Sequence, residues 1–509
     1  MKARHIFYLP IILFLIFSLS ACEDKDNGKS DNNEVTNDYV NSWVFSEMDF
    51  WYYWNEKMPS ERTLDFNISP DDFFEKILYS DDNFPGKGED RFSWIQSSYD
   101  DLMNSLTGVS SNEIGFEYAP VRFALGDDIV FRVLYLKKGT NAEKSGLKRG
   151  DVITKVDGVS LNRSNWSGAL YQNKSSYTLE GSTFSGKIVI EPTAKYNESP
   201  IYINKTFEID GKKIGYIMYN QFTRDNGDET YKYDKELASI FADYDSKGVN
   251  NLILDLRYNG GGYTSCALNI ASALVPNRNV ENIFYYSEYN TVIDAAAKRQ
   301  FTDEEYDQFI NVYYKDNIEK TDINGSVTNE GSIPNYGDKL EKLYILVGAN
   351  TASASELVIN GLIPFMRDKI VLIGETTYGK NVGSITLIDD DNIDNNKWGI
   401  QPIVFKSFNQ DDESEYSSGF TPGVQVTGYQ VIDPIGYIYE EMEELGSESE
   451  PLLAYALADI TGQAKPQYKS LSASGFDVVG SSFELKSNAY QMYIDKNKAQ
   501  KLIKAPISK

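Results

Sequence analysis

The chain has a single histidine, His5, inside an N-terminal stretch that reads as a cleaved export signal. Without it, a Ser-His-Asp triad, a histidine general base and a histidine-bound metal are all excluded. A hydrolase made from the remaining residues needs another base, and a desolvated lysine is the main option near neutral pH. Three loops carry residue types suited to such chemistry. Asn259-Gly260-Gly261-Gly262 can turn backbone N–H groups into a cleft with no side chain in the way. Gly348-Ala-Asn-Thr-Ala-Ser-Ala-Ser-Glu356 puts serines at the start of an expected helix. There the free N–H groups and the positive dipole end favour an alkoxide or a neighbouring oxyanion, although Ser and Thr are also ordinary caps. Gly374-Glu-Thr-Thr-Tyr-Gly-Lys380 follows an apolar strand. Burial at the sheet end would lower the pKa of Lys380, whereas at the surface it would be an ordinary lysine.

Each loop follows a short apolar run of the kind expected for a buried parallel strand: 252–256, 343–347 and 369–373. The strand 213–219 precedes them. Helices are expected after the glycine loop, through Ala267, Ile270, Ala271 and Leu274 to Pro276, and from about Ser353. Such alternation predicts a parallel or mixed sheet covered by helices, with its sites at the carboxyl ends of the strands. A polar, Tyr- and Asn-rich insertion, 277–338, either caps a cleft or is a surface excursion. Ahead of this region, 113–192 is a run of short strands and turns that includes the strand 129–136, a short helix ending at Gly146, and an Asp157-Gly158 hairpin turn. Earlier still, Val44, Met48 and Trp51 fall at helical spacing. Ser69-Pro70-Asp71-Asp72 reads as N-cap, N1 and first-turn acids ahead of Phe73, Phe74, Ile77 and Leu78.

The string from Ala142 through Gly146-Leu147, Gly150-Asp151 and Ile153 to Asp157-Gly158 resembles a PDZ domain. By that resemblance Gly115, Phe116 and Glu117 would form the carboxylate-binding loop, and a peptide C-terminus would add as a strand to a sheet edge; the alternative is a packing module with a closed groove. The strings 252–262, Thr351-Ala-Ser-Ala-Ser-Glu356 and Gly374-Glu-Thr-Thr-Tyr-Gly-Lys380, in this order after a helical and a PDZ-like segment, resemble the C-terminal processing, or tail-specific, peptidases, family forty-one of the serine peptidases. The likeness runs from about residue 40 to 463. It implies a multidomain α+β fold with an N-terminal helical domain, a PDZ-like β-rich domain and an α/β core of the crotonase and caseinolytic-protease type. It also implies Ser353 as nucleophile and Lys380 as base, with oxyanion donors from the N–H of Gly260 or Gly261 and of Ala354. Two departures stand out. Ser384 occupies the position, four residues after Lys380, where relatives often carry a lysine-orienting Gln. Thr421-Pro422-Gly423 stands where many relatives have Pro followed by Asp. The expected function is therefore a serine endopeptidase acting on polypeptides captured by their C-termini. The alternative is a peptide- or polymer-binding lipoprotein on the same fold, without catalysis.

The ends and the charge frame this reading. Lys2 and Arg4, the apolar run Ile6–Ile16 and Leu19-Ser20-Ala21-Cys22 follow signal-peptide order, and the ending resembles a lipobox with Cys22 lipidated. That implies an anchor in the outer membrane, on its periplasmic or surface side. Only Cys266 remains besides Cys22, so no internal disulfide is expected. A net charge of −26 argues against nucleic acid and anionic membrane surfaces as partners. No metal or other cofactor is expected. The expected divisions are 1–21 signal, 22–36 tether, 37–107 helical domain, 108–198 PDZ-like domain, 199–465 catalytic core and 466–509 C-terminal extension.

Overall fold

The computed structural model describes residues 35–80, 90–106, 109–123, 126–322, 326–425, 442–466, 476–485 and 492–494. The signal, Cys22, nearly all of the tether and most of 466–509 lie outside the described residues. No described helix is long and apolar enough to cross a membrane.

In the N-terminal region, α1 (Asn37–Trp51) buries Val44, Met48 and Trp51 along one face. Ser69 caps α2 (Pro70–Ile77) by accepting the Asp72 N–H, with Pro70 in the first turn where its missing N–H costs nothing. Phe73, Phe74 and Ile77 then close a small core with Val44, Met48 and Tyr52. The region is not wholly helical as expected. Trp94–Gln96 forms a strand antiparallel to Gly399–Gln401 of the later core, and Ile400 joins the N-terminal cluster. This pairing between distant segments has no local signal. It carries residues 90–93 to the candidate site.

The β-rich module contains β1 (Phe116–Phe123), β2 (Ile129–Leu136), α3 (Asn141–Lys144), β3 (Val152–Val156), β4 (Tyr177–Gly181) and β5 (Ile188–Ile190), its strands paired in that order in one antiparallel sheet. Asp157 and Gly158 both have positive φ, as the expected hairpin turn requires.

The core sheet runs β6 (Ile201–Ile209), β7 (Lys212–Tyr219), β8 (Asn251–Asp255), β9 (Lys342–Val347), β10 (Ile370–Gly374), β11 (Val424–Gln425). The β6–β7 pair is antiparallel and every later pair is parallel. Alternate side chains serve opposite faces. Leu252, Leu254, Leu343 and Ile345 pack with α4 (Lys232–Lys247), α5 (Thr264–Leu274) and α6 (Ala354–Met366). Ile253, Tyr344 and Leu346 pack on the other face with α7 (Pro451–Thr461) and with Val121, Leu134 and Val152 of the β-rich module. Burial on both faces explains why these strands read as continuous apolar runs. The insertion packs into the helix-side core through Tyr285, Ile293, Tyr314 and Tyr336, and Ile283–Tyr289 pairs with Ile403–Phe408. It is an integral part of the core and not a loose excursion.

Candidate active site

The three loops leave the carboxyl ends of β8, β9 and β10, which are neighbours in the sheet. Hydrogen bonds tie the loops together. The Asn259 carbonyl accepts the Ala352 N–H at 3.1 Å and the Ser355 hydroxyl at 3.0 Å. The Thr351 hydroxyl donates to the Leu256 carbonyl at 2.8 Å, and the Tyr378 N–H donates to the Thr351 carbonyl at 2.9 Å.

Ser353 is fully buried and immediately precedes α6. Its φ of 62° is in the left-handed region, a conformation that serine adopts only when the surroundings enforce it. Its hydroxyl makes no hydrogen bond among the described residues. Ser353 occupies the N-cap position in capping-box spacing with Glu356, yet its strained backbone leaves the hydroxyl without a regular cap hydrogen bond.

Glu356, three residues on, organises the site. Its Oε2 accepts the N–H groups of Ser353 and Lys380, each at 2.8 Å. Its Oε1 accepts the Gly379 N–H at 2.7 Å and the Thr377 hydroxyl at 2.5 Å. One buried carboxylate thus pins the backbone of the serine loop to that of the lysine loop. Burial pushes its carboxyl up, and the four donors pull it back. Gly379 needs its glycine: φ is +92°, and a Cβ would lie 2.4 Å from the Ser417 carbonyl oxygen.

Lys380 is fully buried, with its ammonium 4.8 Å from the centre of the Phe92 ring. Desolvation lowers its pKa to about 7, against the upward pull of Asp90 and Glu356 and with a smaller downward push from Arg91. Asp90, Arg91 and Phe92 come from the N-terminal region. Asp90 is fixed by accepting the Phe92 and Ser93 N–H groups at 2.8 and 3.0 Å. Ser384 is buried nearby, but its hydroxyl donates to the Met492 carbonyl at 3.2 Å and accepts from Gln401 Nε2 at 3.0 Å. Neither bond goes to Lys380, so the lysine-orienting role expected at this position is not seen in its contacts.

In the glycine loop, the Gly261 N–H already donates to Asn259 Oδ1 at 2.9 Å, and the Asn259 amide is itself held by the Tyr219 carbonyl at 2.7 Å. No described hydrogen bond occupies the N–H of Gly260, which is the partly exposed residue of the pair. Ala354 is buried at the first position of α6, where a helical N–H lacks an intrahelical partner. Beneath the loop, Arg257 forms a charge cluster with Asp255 at 2.8 Å and with Glu450 at 2.9 Å. A cavity of about 290 Å³ opens between this edge and the β-rich module, lined by Arg257, Asn350, Glu375, Leu134 and Ser481 among others.

In the β-rich module, the Gly115 N–H donates to the Glu113 carboxylate at 3.0 Å. Phe116 and Glu117 are buried, and Lys137 is flanked by Glu113, Glu117 and Glu198 at 2.8, 3.0 and 3.6 Å. The loop expected to hold a peptide carboxylate has its first amide filled by the protein's own carboxylate. No group of three or more metal-ligating side chains occurs among the described residues.

Fold and site define a multidomain α/β protein with a helical N-terminal region, in which a serine and a lysine converge at the carboxyl edge of a largely parallel sheet. Residues 213–426 match peptidase family S41, and residues 39–94 match the peptidase S41 N-terminal domain, together more than half of the chain. The chain belongs to peptidase family S41. It is 24% identical over 345 residues to the carboxy-terminal processing protease CtpA of Bacillus subtilis, covering 67% of this chain and 60% of that one. It is 25% identical over 259 residues to a carboxyl-terminal-processing protease of Picosynechococcus, covering 50% and 51%. The chain thus spans about half to three fifths of the length of these curated relatives. A Bacteroides fragilis crystal structure assigned to the S41 proteases shares the fold, with a TM-score of 0.61 at 24% identity over 82% of this chain and 97% of that one.

Proposed function

We propose that the protein is a serine endopeptidase of the C-terminal processing type, working through a Ser353–Lys380 dyad and an acyl-enzyme. The observation that carries this reading is Lys380, a fully buried amine with a pKa near 7, tied through Glu356 to the backbone of a strained serine. Neutral Lys380 takes the Ser353 hydroxyl proton as Oγ bonds to the scissile carbonyl carbon, and the carbonyl electron pair moves onto oxygen. The N–H groups of Gly260 and Ala354 hold that oxyanion. Collapse breaks the C–N bond, and the amine leaves with the proton from Lys380. Water then attacks the ester, passing a proton to Lys380, and collapse frees the acid and restores Ser353. Because the Ser353 hydroxyl is unbonded here, substrate binding must bring it to Lys380.

The β-rich module, which resembles a PDZ domain, takes a polypeptide end as an added strand and feeds it to the dyad. Cys22 lipidation would anchor the protein in the cell envelope. The test is casein cleavage by protein starting after Cys22, beside Ser353→Ala and Lys380→Ala. Loss in both variants with unchanged circular dichroism supports the dyad. Cleavage that survives Ser353→Ala, or none by the wild type from about pH 6 to 10, overturns it.

A further inference from the structure

The edge of β1 in the β-rich module is already paired. Strand β12 (Phe476–Val478) runs antiparallel to it, with Phe476 opposite Phe123 and Val478 opposite Val121. The segment continues along β1. The Val479 N–H donates to the Pro120 carbonyl at 3.0 Å, and the Ser482 N–H donates to the Tyr118 carbonyl at 3.1 Å. The Ser482 hydroxyl accepts the Tyr118 N–H at 2.9 Å and donates to Glu117 at 2.6 Å. The chain therefore advances from the far end of β1 toward Gly115 and Phe116. That is the direction a polypeptide end would take to reach the same loop. The same segment walls the cavity beside the candidate active site through Val478, Gly480, Ser481 and Glu484, and Phe483 stacks 6.1 Å from Tyr258 of the glycine-loop strand end.

We infer that Phe476–Phe483 is a resident, ligand-like strand, and that capture of a polypeptide end by the β-rich module requires its displacement. The inference rests on the peptide-feeding role proposed for that module. Three features fit a displaceable occupant. Pro120 has no N–H, so the ladder between β1 and the segment is one donor short at its centre. The Ser482 hydroxyl, and not a backbone carbonyl, takes the Tyr118 N–H, so a regular peptide strand would pair better there. Val478 remains 44% exposed, so the start of the strand lies at the surface, and only its far end at Ser482 and Phe483 is buried. The module is thus closed at two points, along its edge by this strand and at its loop by Glu113.

The test uses the full chain after Cys22 in a Ser353→Ala background, so that binding is read without cleavage. The probe is a fluorescein-labelled peptide copying residues 476–483 with a free carboxylate, followed by anisotropy. Val479→Pro removes one ladder bond, and Ser482→Ala removes the two hydroxyl bonds to the Tyr118 N–H and the Glu117 carboxylate. Each is expected to raise probe affinity at least tenfold over the parent. Should either variant misfold, amide exchange on the parent is decisive: saturating probe should speed exchange at Val479 and Ser482. Unchanged affinity in folded variants, or unchanged exchange under saturating probe, overturns the resident-strand inference. Casein turnover by the Ser353 protein is measured in parallel. Its absence would sink the peptidase reading and leave the binding comparison standing.

Discussion

Replacing Glu356 with Gln changes one atom and removes one charge, and the site geometry sets the consequences. The carboxylate accepts four donors, two on each oxygen. A glutamine has one oxygen. With that oxygen placed toward Ser353 and Lys380, the amide NH2 faces the Gly379 N–H, and the Thr377 hydroxyl can reorient to accept. One buried N–H is left without an acceptor, at a cost of about 1–3 kcal/mol. The opposite flip strands two N–H groups and is worse, so the first figure is a lower bound. The charge matters separately. Glu356 holds the Lys380 pKa up, so its neutralisation should move that pKa below about 7. Urea unfolding should therefore show Glu356→Gln destabilised by at least about 1 kcal/mol. The pH dependence of kcat/KM should shift its midpoint to lower pH, while the plateau falls because the loops carrying Ser353 and Lys380 are no longer pinned together. Thr377→Val, which removes a hydroxyl and keeps the carboxylate, is the control and should leave the midpoint unmoved. A Glu356→Gln protein with wild-type stability and midpoint, or with an alkaline shift, would refute this account.

Wild-type kcat/KM should rise tenfold per pH unit below about 7 and level off above it, because only the neutral amine accepts the serine proton; a profile falling through pH 7 contradicts the assignment of Lys380 as base. Lys380 has a folded pKa below its unfolded value of 10.5, so its ammonium destabilises the fold fully below about pH 7, and the penalty fades as pH climbs to 10.5. Lys380→Met should accordingly be more stable than wild type at pH 6, with the gain shrinking toward pH 10 in urea titrations. Ser353→Ala removes a hydroxyl that holds no described hydrogen bond, so unfolding free energy should change by less than about 0.5 kcal/mol while casein turnover is lost. Arg257→Met leaves Asp255 and Glu450 buried without their cation and should cost about 3–5 kcal/mol, measured by urea unfolding at pH 7.

The strands and helices that carry the loops were legible because each is short, apolar and bounded by glycines, and the structure places 251–255, 342–347 and 370–374 within a residue or so of the runs read from the sequence. The serine and lysine loops were legible for the same reason, since local pattern places them at strand ends. The groups that set their chemistry were less visible. Glu356 did carry a signal, a glutamate three residues after a serine at a helix start, which is a capping-box spacing. Asp90, Arg91 and Phe92 carried none. They reach Lys380 only because Trp94–Gln96 pairs with Gly399–Gln401 some three hundred residues later. Gln401 against Ser384 and Ser482 against Glu117 are likewise products of long-range strand pairing. Asn259, by contrast, stood inside the glycine loop in plain view, but that its side chain would take up the Gly261 amide depends on a left-handed turn at Gly261 that sequence does not specify.

The cluster of Arg257 with Asp255 and Glu450 also bears on where this protein can be cut. The family match stops at residue 426, yet Glu450 lies well beyond it. Glu450 caps α7 by accepting the Leu453 N–H at 3.0 Å while clasping the arginine below the glycine loop. Leu452, Leu453 and Leu457 of that helix seal the face of the sheet formed by Tyr344, Leu346 and Ile373. A fragment trimmed to the recognisable segment would expose this oily face and leave a buried guanidinium short of one counter-charge. The smallest expressible catalytic piece must therefore extend at least through Thr461, the last residue of α7.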